Sequence, residues 1–578
     1  MRNDGGQYDR IRNLRDRGSA GLSTGKTTEL ARKVRDFITW ARVYHLEEHR
    51  PVLLCSLTRT AAAEIAGRDL PLPRECVGTL HSHAYRSLGC PPVAESQVED
   101  FNKANPAYRL SGAEVDTENP EWDRRCGTPG DEMANEYHLL RARMVDHRIW
   151  PSAVVSFAKK WESWKAGSGT IDFTDMIELA LRDVEVGPGG PRILIADEAQ
   201  DLSALEYSLL RKWGTAAGNL IITGDPYQAL YTWRGAHPEM FLDPDVPADR
   251  KRVLGQSWRV PRAVHKAAMA WVRQLSNYQP LDYQPRDFEG QVSGCNATWK
   301  APDAMLDLAE RHLAAGKSVM IQASCSFFLF PLLTACRKRG LPFANPWRYK
   351  RGDWNPLGGR GVTMARRIGA FLRADSGTHG ADARSWTPAE LHHWADVLQA
   401  RGLFIHGAKQ LLQEWADSCT ADPEAQGLPI GDWECLYDYF EQAPLSDLYE
   451  MLRLREQGDE NTGMDRLLAW WISRLIPAKA KAAGFPAAVA IARGAKALED
   501  PPRLFVGTTH SFKGAEADVT MIIPDLSPSG YREWLRRGEP RDSIVRMGYV
   551  AITRARESVI FCQPTTEQAM RFSNLQEN

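Results

Sequence analysis

Short apolar runs bounded by polar or turn residues recur along the chain at 51–57 (PVLLCSL), 192–196 (RILIA), 219–223 (NLIIT), 318–322 (SVMIQ), 504–507 (LFVG) and 518–523 (DVTMII). Each is rich in Val, Ile and Leu, the pattern of a strand buried on both faces of a parallel sheet. Helical spacing of apolar positions lies between them, as in Thr27–Tyr44 and Leu202–Trp213. Strands alternating with helices predict a parallel α/β sheet. The runs fall into two groups, one before residue 250 and one after it. Two regions break the rhythm. Residues 86–170 are polar, aromatic-rich and interrupted by Pro and Gly. Residues 351–500 carry WNPLGGRG and then helical patterns at Thr387–Arg401 and Asp465–Leu475. Both read as mainly helical insertions. The Ala/Lys/Gly stretch Ile476–Ala497 reads as a solvated helix and loop, with a duplex-contacting surface as the alternative.

A length of 578 residues suggests three to five structural units, at roughly 100–200 residues per domain. Hydrophobic content of 43% and charged content of 25% exclude a disordered or fibrous chain. No apolar run approaches the roughly 20 residues of a membrane span, and the opening MRNDGGQYDR has no apolar signal core. A net charge of −1 excludes a basic nucleic-acid coat. It leaves room for a local basic groove. Ten cysteines, none in a CxxC pair, argue against a zinc ribbon. Scattered thiols fit a reducing cytoplasm.

Residues 20–27, AGLSTGKT, form an A-x-x-x-x-G-K-T loop at the start of a helical pattern. Backbone N–H groups of such a loop cradle phosphate oxygens, and the helix N-terminus favours anions. Gly21, Ser23, Thr24, Gly25, Lys26, Thr27 and Thr28 are the candidate nucleotide contacts. Lys26 is placed for the β- and γ-phosphates, and the Thr27 hydroxyl for Mg²⁺. A fortuitous Gly-rich turn is the alternative for the loop taken alone. Further on, the apolar strand at 193–196 ends in Asp197 and Glu198. Asp197 is placed to hold Mg²⁺, and Glu198 to orient and deprotonate an attacking water. Helix capping is the plainer alternative for such acids. His81 and His83 lack neighbouring carboxylate or thiol ligands and make a poor metal site.

The ordered motif series resembles superfamily 1 helicases of the UvrD/Rep/PcrA type. After the phosphate loop come SLTRTAAAEI (56–65), GTLHS (78–82) and DFTD (172–175). Then follow DEAQD (197–201), GDPYQALYTWRGA (224–236) and SWR (257–259). TTHSFKGAE (508–516) and YVAITRA (549–555) close the series. The resemblance implies two RecA-like domains with parallel sheets facing an ATP cleft, each with a helical insertion. The first domain is expected at 1–85 and 170–250, with an insertion at 86–169. The second is expected at 251–350 and 500–578, with an insertion at 351–499.

The resemblance further implies a DNA-stimulated ATPase that moves 3′→5′ on single-stranded DNA and unwinds forks in repair, replication or recombination. The setting would be a bacterial or phage-infected cytoplasm, close to the nucleoid. Replication or repair proteins are the expected partners, and a monomer suffices. ATP and Mg²⁺ are the implied cofactors. Gln228 would sense the γ-phosphate, and Arg259 and Arg554 would act as arginine fingers. Trp258 would stack on adenine, and Gly514 and Glu516 would meet the nucleotide. Trp233 would stack on a DNA base. Thr58, Thr79, His81, Tyr231, Arg234, Thr508 and His510 complete the expected DNA contacts.

Departures from the family pattern are equally specific. Ser23 replaces a Gly, and Leu57 an aromatic. Residues 9–19 (DRIRNLRDRGS) are not the apolar strand that should feed the loop. Either an upstream segment supplies that strand or this edge of the sheet is altered. Gln7 is a weak candidate for reading adenine. The accessory regions look shorter than in UvrD, and no acidic run precedes Arg546. The rival readings are an ATP-gated single-strand clamp with impaired hydrolysis, a helicase–nuclease, and an RNA-tracking motor.

Overall fold

The computed structural model describes residues 17–19, 32–39, 52–56, 72–111, 128–241, 247, 250–345, 356–358, 361–372, 386–420, 433–457, 460–572 and 575. Six parallel strands form the first sheet: Arg17–Ser19 (β1), Val52–Ser56 (β2), Val77–Thr79 (β3), Ile193–Ala196 (β4), Leu220–Gly224 (β5) and Lys251–Val253 (β6). Their spatial order is β3-β2-β4-β5-β1-β6. Successive side chains of a strand point to opposite faces, and the apolar runs exploit this. Leu53, Cys55, Leu194 and Ala196 enter one core with Leu205, Leu209, Leu210 and Trp213 of the helix Ala204–Ala217. Val52, Leu54, Ile193 and Ile195 enter a second core, with Val34, Phe37 and Ile38, on the other face.

The run at 9–19 departs from expectation. Arg17–Ser19 is a strand despite its polar sequence, hydrogen-bonded in parallel to Ile222–Gly224 on one side and Lys251–Val253 on the other. An apolar pattern reports side-chain burial. The hydrogen-bond ladder is a backbone property, and two flanking strands are enough to recruit a short polar segment.

The second sheet comprises Gln291–Gly294 (β9), Val319–Ala323 (β10), Leu504–Thr508 (β11), Ala517–Ile522 (β12) and Ala555–Phe561 (β13), all parallel, in the order β11-β10-β12-β13-β9. A two-stranded ladder of Gln256–Pro261 (β7) and Gln284–Arg286 (β8) flanks it. The mixed α/β architecture with parallel sheets is the one expected.

Helices fill both interrupting regions. Between β3 and β4 lie Val98–Ala104, Pro129–Ala142 and Ser152–Ser168, packed around Phe101, Tyr137, Phe157 and Trp161. Between β10 and β11 lie Met364–Leu372, Pro388–Ala395, Ala408–Thr420, Gln442–Gln457, Glu460–Ser473 and Pro477–Arg493. Trp386, Trp394 and Trp471 of this set share one continuous core with β10, β11 and β12. The stretch Ile476–Ala497 is solvated only in part, with residues 476–479, 481 and 482 exposed. Ala483, Phe485, Ala487, Val489 and Ala490 are buried in that core, because small side chains let the helix approach closely. No helix among the described residues is long and apolar enough to cross a membrane.

Candidate active site

In open parallel sheets, ligands bind beyond the carboxyl ends of the strands. β4 and β5 end side by side, and their next residues build the acidic half of the site. Asp197 is buried, and its Oδ1 accepts hydrogen bonds from Thr223 Oγ1 at 2.6 Å and from the Glu198 N–H at 3.0 Å. Glu198 adopts φ 55° and ψ 38°. This left-handed conformation costs a residue with a Cβ about 1–2 kcal/mol, and such strain collects at functional sites. Gln200, fully buried, spans the two strand ends. Its Nε2 donates to Glu198 Oε2 at 2.7 Å, and its Oε1 accepts from the Asp225 N–H at 3.0 Å. Asp225 in turn accepts from the Gln228 Nε2 at 2.7 Å.

The second sheet contributes the basic half. Helix Glu539–Ile552 ends one residue before Thr553, and Arg554 follows. The Arg554 guanidinium is buried and donates from Nη2 to Gln228 Oε1 at 3.0 Å and from Nη1 to Ala515 O at 3.3 Å. Arg259 reaches the same Ala515 carbonyl at 3.5 Å and lies 3.7 Å from Glu516 Oε2. Burial alternates along β7: Ser257 and Arg259 turn inward, while Trp258 stands 69% exposed. Lys513 Nζ donates to Gln228 O at 2.9 Å and pairs with the buried Asp201, 3.7 Å from Glu198 Oε2. Gly514, with φ +85°, makes the turn that follows.

Electrostatics single out the two guanidiniums. Burial, and then the neighbouring Arg259 charge, push the Arg554 guanidinium well below its usual range. Burial lowers Arg259 too, with Glu516 only partly compensating. Arg259 Nε and the buried Tyr549 hydroxyl have no hydrogen-bond partner among the described residues. Buried like charges and unpaired polar atoms are costly, and Glu198, Asp225 and Glu516 offset the burial of the two guanidiniums only in part.

Beside this cleft lies an aromatic and basic face. Thr232–Arg234 is a short 3-10 turn ended by Gly235 at φ 96°. A Cβ on Gly235 would meet Ala142 Cβ at 3.0 Å, so this seat against helix Pro129–Ala142 needs glycine. Trp233 is half-buried, and its Nε1 has no partner among the described residues. Tyr231 and His510 have ring centroids 6.3 Å apart, and Lys513 Nζ lies 5.3 Å from the Tyr231 ring. Arg234 is exposed. Thr79 caps helix Leu80–Ser87 by accepting from the Ser82 N–H at 3.1 Å. His81 Nδ1 lies 3.4 Å from Glu206, and burial outweighs that carboxylate to lower its pKa. Thr508 is fully buried as the last residue of β11, and its hydroxyl accepts from the Ser511 N–H at 3.3 Å. It offers no surface for a nucleic-acid contact in this state. His83 offers no metal ligand either, because its Nε2 bonds Leu54 O at 3.1 Å and its Nδ1 meets Arg86 Nη2 at 2.8 Å.

Gly21, Ser23, Thr24, Gly25, Lys26, Thr27, Thr28 and Thr58 lie outside the described residues. Gln200, Asp201, Thr223, Asp225, Lys513 and Tyr549 are site residues to which sequence reasoning gave no role. Most sit inside the motifs already quoted, so the signal was position; the contact partners were missing.

The DFTD element forms a buried ionic knot. Asp172 is fully buried and accepts from Lys165 Nζ at 2.6 Å, Trp161 Nε1 at 2.9 Å and Arg141 Nη1 at 3.2 Å. Glu162, Asp172 and Asp175 are close enough to share a metal. The Lys165 ammonium, 2.6 Å from Asp172 and 2.5 Å from Asp175, already occupies that position.

Known proteins resemble this chain over part of its length. Residues 141–247 match the UvrD/REP helicase N-terminal domain family. DNA helicase II of Salmonella typhimurium is 25% identical over 284 residues, 44% of this chain and 37% of that protein. ATP-dependent DNA helicase Rep of Buchnera aphidicola is 25% identical over 274 residues, 44% of this chain and 40% of that protein. The RecB subunit of the Mycobacterium tuberculosis RecBCD enzyme is 33% identical over 82 residues, 14% of this chain and 8% of that protein. The first two matches thus span well under half of each relative's length. Together they bear out the resemblance to UvrD/Rep-type superfamily 1 helicases.

Proposed function

We propose that this protein is an ATP-dependent single-stranded DNA translocase and 3′→5′ DNA helicase acting in repair, replication or recombination. The observation that carries the reading is the 3.0 Å hydrogen bond from Arg554, on the second sheet's side, to Gln228, on the first sheet's side. Chemistry divided between two lobes requires closure, and closure is the event that becomes movement.

The donor set fits a nucleotide with Mg²⁺. The facing guanidiniums and the partnerless Arg259 Nε and Tyr549 hydroxyl suit a phosphate tail, while Asp197 supplies a buried oxygen ligand. Bound Mg·ATP supplies the scissile phosphoryl group. Asp197 and Thr27 would hold the cation, and Lys26 the phosphates. Glu198 takes the proton of the attacking water on its carboxylate, which Gln200 keeps oriented. Arg259 and Arg554 stabilise charge as it develops, and an arginine finger contributes about 10³–10⁵ in rate. Gln228 bonds Asp225 and Arg554 together, which links the nucleotide side to Tyr231 and Trp233 three and five residues on. Stacking of a base on Trp233 is worth about 1–3 kcal/mol, close to the roughly 1.4 kcal/mol of a DNA base-pair step. Such a contact resists re-annealing yet breaks every cycle.

Unwinding of 3′-tailed and 5′-tailed duplexes, on DNA and on RNA, tests this directly. Preference for the 3′ DNA tail, abolished by Lys26→Ala, is expected. Preference for the 5′ tail would refute the polarity. Equal, negligible ATPase rates for wild type, Lys26→Ala and Glu198→Gln would identify a clamp in place of a motor.

A further inference from the structure

Two thiols far apart in sequence meet at one end of the second sheet. β9 runs beside β13 with Gly294 opposite Phe561. The ladder continues one residue further, where the Cys295 N–H donates to Phe561 O at 2.9 Å. That continuation sets Cys295 opposite Cys562. Opposed residues of neighbouring strands point to the same face. Here Ile560 and Cys562 enter one core, with Cys295 packed against it, while Val559 and Phe561 enter the other. Both cysteines are free thiols, Cys562 buried and Cys295 half-buried.

The surroundings divide their roles. The Cys562 thiol is placed to donate a hydrogen bond to the Cys295 thiolate. Against the opposing effect of burial, and helped by the Ala297 N–H, it brings the Cys295 thiol down to about 7. The same bond and burial hold the Cys562 proton firmly. Burial instead pushes Cys55 and Cys336 up to about 12. A part-exposed sulfur with thiolate character beside a protonated thiol is the pairing found in redox-sensor cysteines.

We propose that Cys295 and Cys562 form a peroxide-sensitive pair that closes to a reversible disulfide stapling β9 to β13. Hydrogen peroxide is the oxidant. The Cys295 thiolate attacks one peroxide oxygen, the O–O bond breaks, and the other oxygen leaves as water after protonation. Cys295 is now a sulfenic acid. The Cys562 sulfur attacks it, the S–O bond breaks, and the departing hydroxide takes the Cys562 proton as a second water. Two thiols are oxidised by two electrons, and one peroxide is reduced to two waters. Strands in a sheet lie about 4.8 Å apart, inside the roughly 4.4–6.8 Å between Cα atoms that a disulfide spans. The sheet need not open for the bond to form.

The test uses the full chain, reduced, exposed to graded hydrogen peroxide, then denatured, alkylated and mapped by peptide mass spectrometry. A Cys295–Cys562 cross-linked peptide that dithiothreitol cleaves is expected, at doses below those that oxidise the exposed Cys90. Cys562→Ser is expected to leave a dimedone-trapped sulfenic acid at Cys295. Cys295→Ser is expected to leave Cys562 fully alkylated. If wild-type Cys295 and Cys562 both stay alkylatable while Cys90 oxidises, the proposal is overturned. It is equally overturned if Cys562 oxidises as readily in Cys295→Ser. No readout involves nucleotide or DNA, so the result is independent of the helicase reading.

Discussion

Replacing Arg554 by Met keeps most of the side chain's reach and removes its charge. The native guanidinium bonds Val550 O at 3.0 Å, Thr553 Oγ1 at 3.1 Å, Ala515 O at 3.3 Å and Gln228 Oε1 at 3.0 Å. Against those bonds stand the burial of the charge and the repulsion from Arg259. Met relieves the buried charge but leaves these acceptors without their donor, at about 1–3 kcal/mol for a buried group left unsatisfied, so a modest fall in melting temperature without nucleotide is expected. Its function should suffer far more. Losing a group that acts on the transition state costs at least about 10³ in kcat, which is about 4 kcal/mol. In the proposed function the phosphate loop captures the nucleotide, so KM should stay within about threefold, the pattern of an interaction made only in the transition state. The assay is single-strand-stimulated ATPase over a range of ATP, with thermal melting of the same samples. A kcat within tenfold of wild type would refute the shared-site argument. A marked loss of thermal stability with unchanged kcat would show Arg554 to be structural.

Three further outcomes follow from the geometry. Burial, only partly offset by the Leu54 carbonyl, lowers the His83 pKa to about 4. The unfolded value lies near 6.5, so the neutral ring's contribution is complete above it and is lost as pH falls from about 6.5 towards 4. The loss amounts to about 3 kcal/mol; urea midpoints across that range should fall more steeply in wild type than in His83→Gln. Burial raises the Asp172 carboxyl, but His138, Arg141 and Lys165 outweigh it and hold it well below the usual range. Asp172→Ala removes the most deeply buried partner of Arg141 and Lys165, which keep Asp175, and should cost about 1–3 kcal/mol in urea unfolding; a loss under about 1 kcal/mol would contradict the knot. Trp233→Ala should weaken single-strand affinity by about 1–3 kcal/mol in fluorescence anisotropy, and an unchanged Kd would remove Trp233 from the DNA face.

Much of the framework is written locally. The six apolar runs become β2, β4, β5, β10, β11 and β12 within one or two residues, because a strand buried on both faces needs apolar residues at every position. β3, β6, β9 and β13 escape that test. β3 and β9 are half-buried or exposed, β6 is exposed throughout, and β13 begins with Ala-Arg-Glu before its apolar end. The helical insertions are legible from spacing, and their helix starts follow from capping residues such as Thr128 with Asp131 and Thr387 with Glu390.

The sequence by itself determined the α/β class, the two groups of strands and the identity of the acids, arginines and aromatics of the candidate site. Those are properties of residue type and order, carried by short segments. Tertiary structure alone decided which of them meet. Arg554 and Gln228 stand 326 positions apart yet share a hydrogen bond. Thr508 is spent inside the sheet, β1 exists through its neighbours' backbones, and Cys295 and Cys562 face each other only through the β9–β13 register. Contacts of that kind depend on how strands are ordered in a sheet and how two sheets face, and no local pattern encodes either.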